Sequence, residues 1–245
     1  MKVRLDQALL LRGFADSRQR AKALIIGGKV LVGGAPASKA GAMVPEDALI
    51  ELRGEDIPYV SRGGLKLEAA LDGFHIDATG MVAMDVGAST GGFTDCLLKR
   101  GASRVYAVDV GYGQFDWRLR NDPRVVLLER TNIRHMEPEA IGGPVDIAVI
   151  DVSFISLRIV APKVAEFLRR PGGMIVALVK PQFEVGRENV GKGGIVRDEE
   201  RRMEALEDVI SCMQEAGLRV QGRMESPIRG QKGNVEYLIC AKVEG

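Results

Sequence analysis

The residues best suited to chemistry in this sequence are two lysines and two carboxylates that fall at the ends of structural elements. Asp151 closes the apolar run IAVI, and Lys180 closes MIVALV. Lys66 sits in the first turn of a helix opened by SRGGLKL, an end where the helix dipole favours acids over cations. Glu236 stands near the start of the last apolar segment, NVEYLICAKV. Amines and carboxylates gathered at one edge of a sheet can steer a nucleophile and move its proton. Otherwise the same four residues make two ordinary surface ion pairs.

A second group lies in Met81–Leu98, MVAMDVGASTGGFTDCLL. An apolar strand reaches Asp85, turns through Gly87, Gly91 and Gly92, and passes into a helix. Glycines let backbone approach a ligand without Cβ interference, and the N–H groups of the helix start point into the same space. The full G-x-G-x-x-G dinucleotide pattern is missing, because position 89 is Ser. A further strand, RVYAV, ends at Asp109, 22 residues after Gly87 and about where an acid reaches ribose hydroxyls. The arrangement resembles the S-adenosylmethionine (AdoMet) cradle of class I methyltransferases. An ordinary strand–turn–helix is the alternative. The resemblance implies a cofactor site of Asp85, Gly87, Ala88, Ser89, Thr90, Gly91, Gly92 and Phe93, with Asp109 and Val110 on the ribose side and Asn132 and Ile133 toward the adenine. Gln114, Phe115 and Trp117 either pack on the adenine or finish the sheet.

These residues need a frame that places strand ends together. After the cradle, the runs RVYAV, Val125–Leu128, IAVI and MIVALV alternate with helical stretches, one of them Ile159–Leu168. Alternating strands and helices imply an α/β, Rossmann-like, doubly wound sheet, with ligands at the carboxyl ends of its strands. Ser153 and Phe154 face the same crevice as Asp151. EVGRENVGKGGIVRDEE, rich in glycine and charge, reads as a mobile flap over it or as a plain surface loop, and a charged helix starts at Asp198.

The 245 residues suit one large or two modest domains. A net charge of +1 hides an uneven distribution: residues 1–40 carry Lys2, Arg4, Arg12, Arg18, Arg20, Lys22, Lys29 and Lys39 against Asp6 and Asp16. A basic end on a neutral chain points to a polyanionic partner; a solvated helix face is the plainer reading. RLDQALLLRGFADSRQRAKALIIGGKVLVGG reads as two short helices and a glycine-turned sheet. It resembles the S4 RNA-binding module, which implies phosphate contacts by Arg4, Arg12, Arg18, Arg20, Lys22 and Lys29. The expected division is an α+β S4-like domain over 1–53, a linker over 54–60 and a methyltransferase domain over 61–245.

With Lys66, Asp151, Lys180 and Glu236 on these elements, the chain resembles the FtsJ-like ribose 2′-O-methyltransferases and their Lys-Asp-Lys-Glu tetrad. With the basic module attached, it is similar to the TlyA or haemolysin A family of ribosomal RNA methyltransferases, through SRGGLKL, DVGASTGGFTD, DVSFISL, LVKPQFE, GKGGIVRD and GNVEYL. The resemblance implies AdoMet as cofactor, a cytidine ribose in ribosomal RNA as substrate, and ribosomal subunits or their precursors as partners. A ribose hydroxyl is a poor nucleophile, so the enzyme must align it and help its proton leave. Lys180 is the first choice for that assistance, with Lys66 steadying developing negative charge and Asp151 and Glu236 orienting the amines. No metal is expected: Cys96, Cys212 and Cys240 lack ligand spacing with His75 or His135. Their odd number favours a reducing compartment. The absence of a signal pattern or an apolar run of ~20 residues predicts a cytoplasmic protein. Rival classes are a membrane-active cytolysin and a non-catalytic ribosome-assembly binder.

Overall fold

The computed structural model describes residues 2–15, 17–26, 28–37, 39–52, 57–230 and 232–244. The chain divides into two compact units, Met1–Asp56 and Ile57–Gly245. Of the stretch expected to link them, residues 54–56 lie outside the described part, as does residue 53 at the end of the expected first domain. Ile57–Val60 belong to the second unit, where the Tyr59 hydroxyl donates to Glu68 at 2.7 Å and the Val60 N–H to Asp95 at 2.9 Å.

Unit 1 contains β1 (Lys2–Arg4), α1 (Leu5–Leu11), α2 (Arg18–Ile26), β2 (Val30–Val32), β3 (Ala35–Pro36), β4 (Met43–Pro45) and β5 (Ile50–Leu52). Its helices are short because each buries a single three- to four-residue stripe: Leu5, Ala8 and Leu9 on α1, and Ala21, Leu24 and Ile25 on α2. Val30, Val44 and Ile50 close this core from the strands. β2 pairs antiparallel with both β3 and β5, and β1 with β4.

Unit 2 contains α3 (Gly63–Gly73), β6 (Val82–Val86), α4 (Gly92–Lys99), β7 (Arg104–Val108), α5 (Trp117–Arg120), β8 (Val125–Leu128), β9 (Ile147–Ile150), α6 (Leu157–Ala165), β10 (Met174–Val179), α7 (Pro181–Glu184), α8 (Glu199–Glu215), β11 (Leu218–Glu225) and β12 (Tyr237–Val243). Among the described residues these strands make one seven-stranded sheet, in the order β11-β12-β10-β9-β6-β7-β8. The five strands from β10 to β8 are parallel, and β12 pairs antiparallel with β10 and β11. Apolar runs without alternation are expected of parallel strands buried on both faces. Met84, Val86, Ala148 and Ile150 pack toward α6 and α8, while Ala83, Val105, Ile147 and Val149 pack toward α3 and α4.

The chain order reverses between β6 and β9, and that switch point opens a crevice at the strands' carboxyl ends. The α6 helix starts at Leu157, two residues before the expected Ile159, because Ser156 caps it by accepting the Arg158 N–H at 3.1 Å. It ends at Ala165 rather than Leu168.

Candidate active site

The sheet register brings the four ionisable residues together. Val179 at the end of β10 pairs with Tyr237 at the start of β12, so Lys180 and Glu236 are delivered to the same edge. Ile150 of β9 lies between Ala177 of β10 and Val86 of β6, which sets Asp151 beside Gly87. Lys66 arrives from the first turn of α3. All four line one cavity of about 740 Å³, well within the range of small-molecule sites.

Two lysine–carboxylate pairs result. Lys66 Nζ donates to Glu236 Oε2 at 2.5 Å. Lys180 Nζ lies 2.6 Å from Asp151 Oδ1 and donates to Ser153 Oγ at 2.9 Å. Asp151 Oδ1 is buried yet receives no properly directed hydrogen bond. A close cation balances its charge while its acceptor capacity stays open.

The cradle follows β6. Asp85 is fully buried, and Thr94 Oγ1 on α4 donates to its Oδ2 at 2.6 Å. Burial pushes the Asp85 carboxyl up to about 7, helped by the nearby Asp151 charge and opposed by the Thr94 hydrogen bond. Asp85 Oδ1 has no partner among the described residues. Gly87 takes φ +86°, and a Cβ there would meet the Asp151 carbonyl oxygen at 2.6 Å. Only glycine joins the cradle to the lysine–carboxylate edge this closely. Ser89 is also left-handed, at φ 50°, and its N–H donates to Asp109 Oδ2 at 2.7 Å while the Gly111 N–H reaches Oδ1 at 2.6 Å. Gly91 caps α4 with no side-chain hydrogen bond, leaving the helix start open to a ligand.

The expected cofactor residues separate into two sets. Asp85, Gly87, Ala88, Ser89, Thr90, Gly92 and Phe93 line the cavity. Gly91, Asp109, Val110, Asn132 and Ile133 do not: Asn132 Oδ1 accepts the Arg134 N–H at 3.1 Å, Ile133 is buried in the core, and Val110 is exposed. Phe115 is buried against Gly91, whereas Trp117 lies half-exposed on α5.

A buried unpartnered carboxylate oxygen at Asp85 and a glycine loop too tight for any Cβ fit a ligand with a cationic amine, such as the methionine end of AdoMet. Sequence reasoning missed Arg62, Gln182, Arg229, Lys232 and Asn234, all of which line the cavity. The words LVKPQFE and GNVEYL contain Gln182 and Asn234, but a word does not say which side chains turn inward. Asn234 is buried and clips the flap: its Nδ2 donates to the Gly194 carbonyl at 2.8 Å and its Oδ1 accepts the Val196 N–H at 3.0 Å.

In unit 1, Arg4 makes a two-point contact with Asp6, at 3.0 and 2.8 Å, which holds that carboxyl below its usual range. Arg12 donates to the Ala48 carbonyl at 2.6 Å and to that of Glu46. Among the described residues, Arg18, Arg20, Lys22 and Lys29 make no side-chain hydrogen bond or ion pair.

Comparison with known proteins agrees with this geometry. A family model described as FtsJ-like methyltransferase matches residues 59–243, and one described as S4 domain matches residues 3–50. The 16S/23S rRNA (cytidine-2′-O)-methyltransferase TlyA of Mycobacterium tuberculosis is 49% identical over 99% of this chain and 91% of its own. Hemolysin A of Brachyspira hyodysenteriae is 42% identical over 96% of this chain and 98% of its own. A solved structure from Streptococcus thermophilus, described as a candidate hemolysin, superposes with a TM-score of 0.78 at 43% identity, covering 99% of this chain and 89% of that one. On the match across 59–243 and these relatives, the chain belongs to the FtsJ-like methyltransferase family, in a form that carries an S4 domain ahead of the catalytic fold.

Proposed function

We propose that this protein uses AdoMet to methylate a ribose 2′-hydroxyl, that of a cytidine in ribosomal RNA. One observation carries the reading: two lysine–carboxylate pairs face a single cavity that is continuous with the glycine cradle. AdoMet supplies an activated methyl group on a sulfonium. Asp85 and the loop Gly87–Gly92 would hold its amino-acid end, and its nucleoside end would reach past the cavity toward Asp109, Val110, Asn132 and Ile133, which do not line it.

Lys180 is assigned to the hydroxyl proton. With its own proton released to solvent as the substrate enters, the neutral Lys180 amine would take the 2′-hydroxyl proton, and Asp151 and Ser153, which hold that amine, would keep it aimed at the oxygen. Lys66 is a fixed positive charge, locked by Glu236, that would steady the oxygen as negative charge develops on it. Phe154 stands at the mouth with 91% of its surface exposed, its ring centroid 5.0 Å from that of Phe183. An exposed aromatic of this kind suits stacking with an unpaired base. The cations of unit 1, chiefly Arg18, Arg20, Lys22 and Lys29, would grip phosphates of folded RNA.

The membrane-active alternative, suggested by the name of the Brachyspira relative, lacks a matching feature: no helix among the described residues is long and apolar enough to cross a membrane. Transfer of a tritiated methyl group to ribosomal subunits tests the proposal. Label in RNA, at a 2′-O-methylcytidine after digestion, supports it. Lysis of red cells without label, or RNA binding without label, would overturn it.

A further inference from the structure

Three cations on the cavity rim are not used by the chemistry proposed above. Arg62, Arg229 and Lys232 all line the cavity and all are exposed. Among the described residues, none of the three side chains has a hydrogen-bond or ion-pair partner. Elsewhere in unit 2, Arg100, Arg120 and Arg124 each sit on a carboxylate. The acids of the cavity cannot serve the rim in the same way: Glu236 is taken by Lys66, Asp151 by Lys180, and Asp85 lies buried behind Thr94. The rim therefore carries uncompensated positive charge over a cavity whose inner charges are balanced.

The placement of that charge is one-sided. Arg62 precedes Lys66 by one helical turn, and Arg229 and Lys232 lie in the turn leading to Glu236. All three belong to the Lys66–Glu236 half. The other half is aromatic, with Phe154 three residues after Asp151 and Phe183 three after Lys180. Phe154 holds φ +64°, a strained backbone state for a non-glycine residue. Guanidinium and ammonium groups match phosphate oxygens, while an exposed aromatic face matches a base.

We propose that Arg62, Arg229 and Lys232 form a phosphate clamp. It takes the backbone phosphates flanking the target ribose and leaves the base on the Phe154–Phe183 side. The clamp rests on the reading of this cavity as a ribose methylation site. It gives the substrate strand a fixed orientation, and it makes RNA binding by unit 2 a separate contribution from that of unit 1.

The test uses the full chain, a ribosomal RNA fragment assayed for label from tritiated AdoMet, and fluorescence anisotropy across a salt series. The pair Arg229→Gln and Lys232→Gln is compared with a control pair, Arg219→Gln and Lys242→Gln. The control positions are paired in register on β11 and β12, at the end of those strands away from Glu236, and both are exposed. The clamp pair should raise the RNA dissociation constant roughly tenfold at low salt and flatten the slope of log K against log salt by about 1.5. AdoMet binding should be unchanged, and the control pair should stay within about twofold of the parent. Equal losses in both pairs would mean a diffuse field, and an unchanged slope would mean no phosphate contact. Weakened AdoMet binding would assign these cations to the cofactor's carboxylate. Each of these results overturns the clamp. If the parent labels no RNA while the slope still flattens, the methylation reading fails and the phosphate contacts stand. If it labels RNA and the slope does not move, the clamp alone fails.

Discussion

Lys66 donates a directed hydrogen bond to Glu236, with only 11% and 3% of the two side chains exposed. Lys180 is equally covered, but its partner Asp151 is 22% exposed, and the lysine's directed bond goes to Ser153 instead. The first pair is closed on itself. Gly230 packs so tightly against Glu236 that a Cβ would strike its carboxylate. The second pair is open, since Asp151 Oδ1 keeps an unfilled acceptor. A closed buried pair behaves as fixed charge, and removing either partner strands the other in low dielectric. An open pair can exchange a hydrogen bond with something that arrives. On this comparison the four residues make one closed half and one open half.

The largest effect should separate those halves. Lys180→Ala should lower methyl transfer on the order of 10³-fold, with AdoMet binding kept and the melting temperature shifted by no more than about 3 °C. Lys66→Ala should also lose activity, but it uncovers Glu236 and should cost about 3 kcal/mol of stability. Single-turnover rates with calorimetry on both variants decide the matter. Equal stability losses would erase the distinction between the halves.

Gly87→Ala should come next. The new methyl group would meet the Asp151 carbonyl oxygen at 2.6 Å in a backbone already at φ +86°, so the cradle and the open pair must move apart. AdoMet affinity should fall at least tenfold, measured by calorimetric titration. The Lys66–Glu236 half should keep its hydrogen bond. Hydrogen exchange localised to the Gly87 loop, with β12 unaffected, would show that the damage stays on one side.

Asp85 tests how far the charge of the open pair reaches. Burial first, and Asp151 to a lesser degree, hold its carboxyl up near 7 in the folded chain. The unfolded chain releases that proton near pH 4. Between these values the folded state binds more protons, so stability falls as pH rises from about 4 to about 7 and stays lower above that. Asp85→Asn should remove the penalty. The variant should be more stable than the parent at pH 8, on the order of 2 kcal/mol without cofactor, and equal to it near pH 4. AdoMet binding should weaken in the same variant. Urea unfolding at the two pH values reads the sign directly.

Much of the frame was legible because its cause is local. The runs VAMDV, RVYAV, IAVI and MIVALV read as buried parallel strands and form β6, β7, β9 and β10. Acids and a lysine at their carboxyl ends follow from the switch-point geometry that such a sheet imposes. The rim was not legible, since it depends on how loops return. Nothing in the spacing of Arg229 and Lys232 says that the turn before β12 folds over the cavity. The flap reads as mobile from its glycines, yet buried Asn234 ties it at Gly194 and Val196, and Arg202 on α8 donates to the carbonyls of Val196 and Arg197. Arg4 and Arg12 look like free cations in the sequence, but Arg4 is occupied by Asp6 and Arg12 by two carbonyls. Composition counts charges without their partners.

The smallest effect is expected at Ser153, and it bears most directly on what makes the open pair open. Its hydroxyl accepts the one directed hydrogen bond from Lys180, at 2.9 Å. Without that acceptor, Lys180 can turn its proton fully onto Asp151 Oδ1, which is already 2.6 Å away. Ser153→Ala should therefore convert the open pair into a copy of the closed one. The methyl-transfer rate should fall roughly threefold to tenfold, and stability should change by less than about 0.5 kcal/mol, because a half-exposed site relaxes easily. The KM for RNA should rise with the loss of the free acceptor on Asp151, while AdoMet binding stays constant. A rate equal to that of the parent would mean that Ser153 only fills space, and that the directed bond at Lys180 does not set the reactivity of this half.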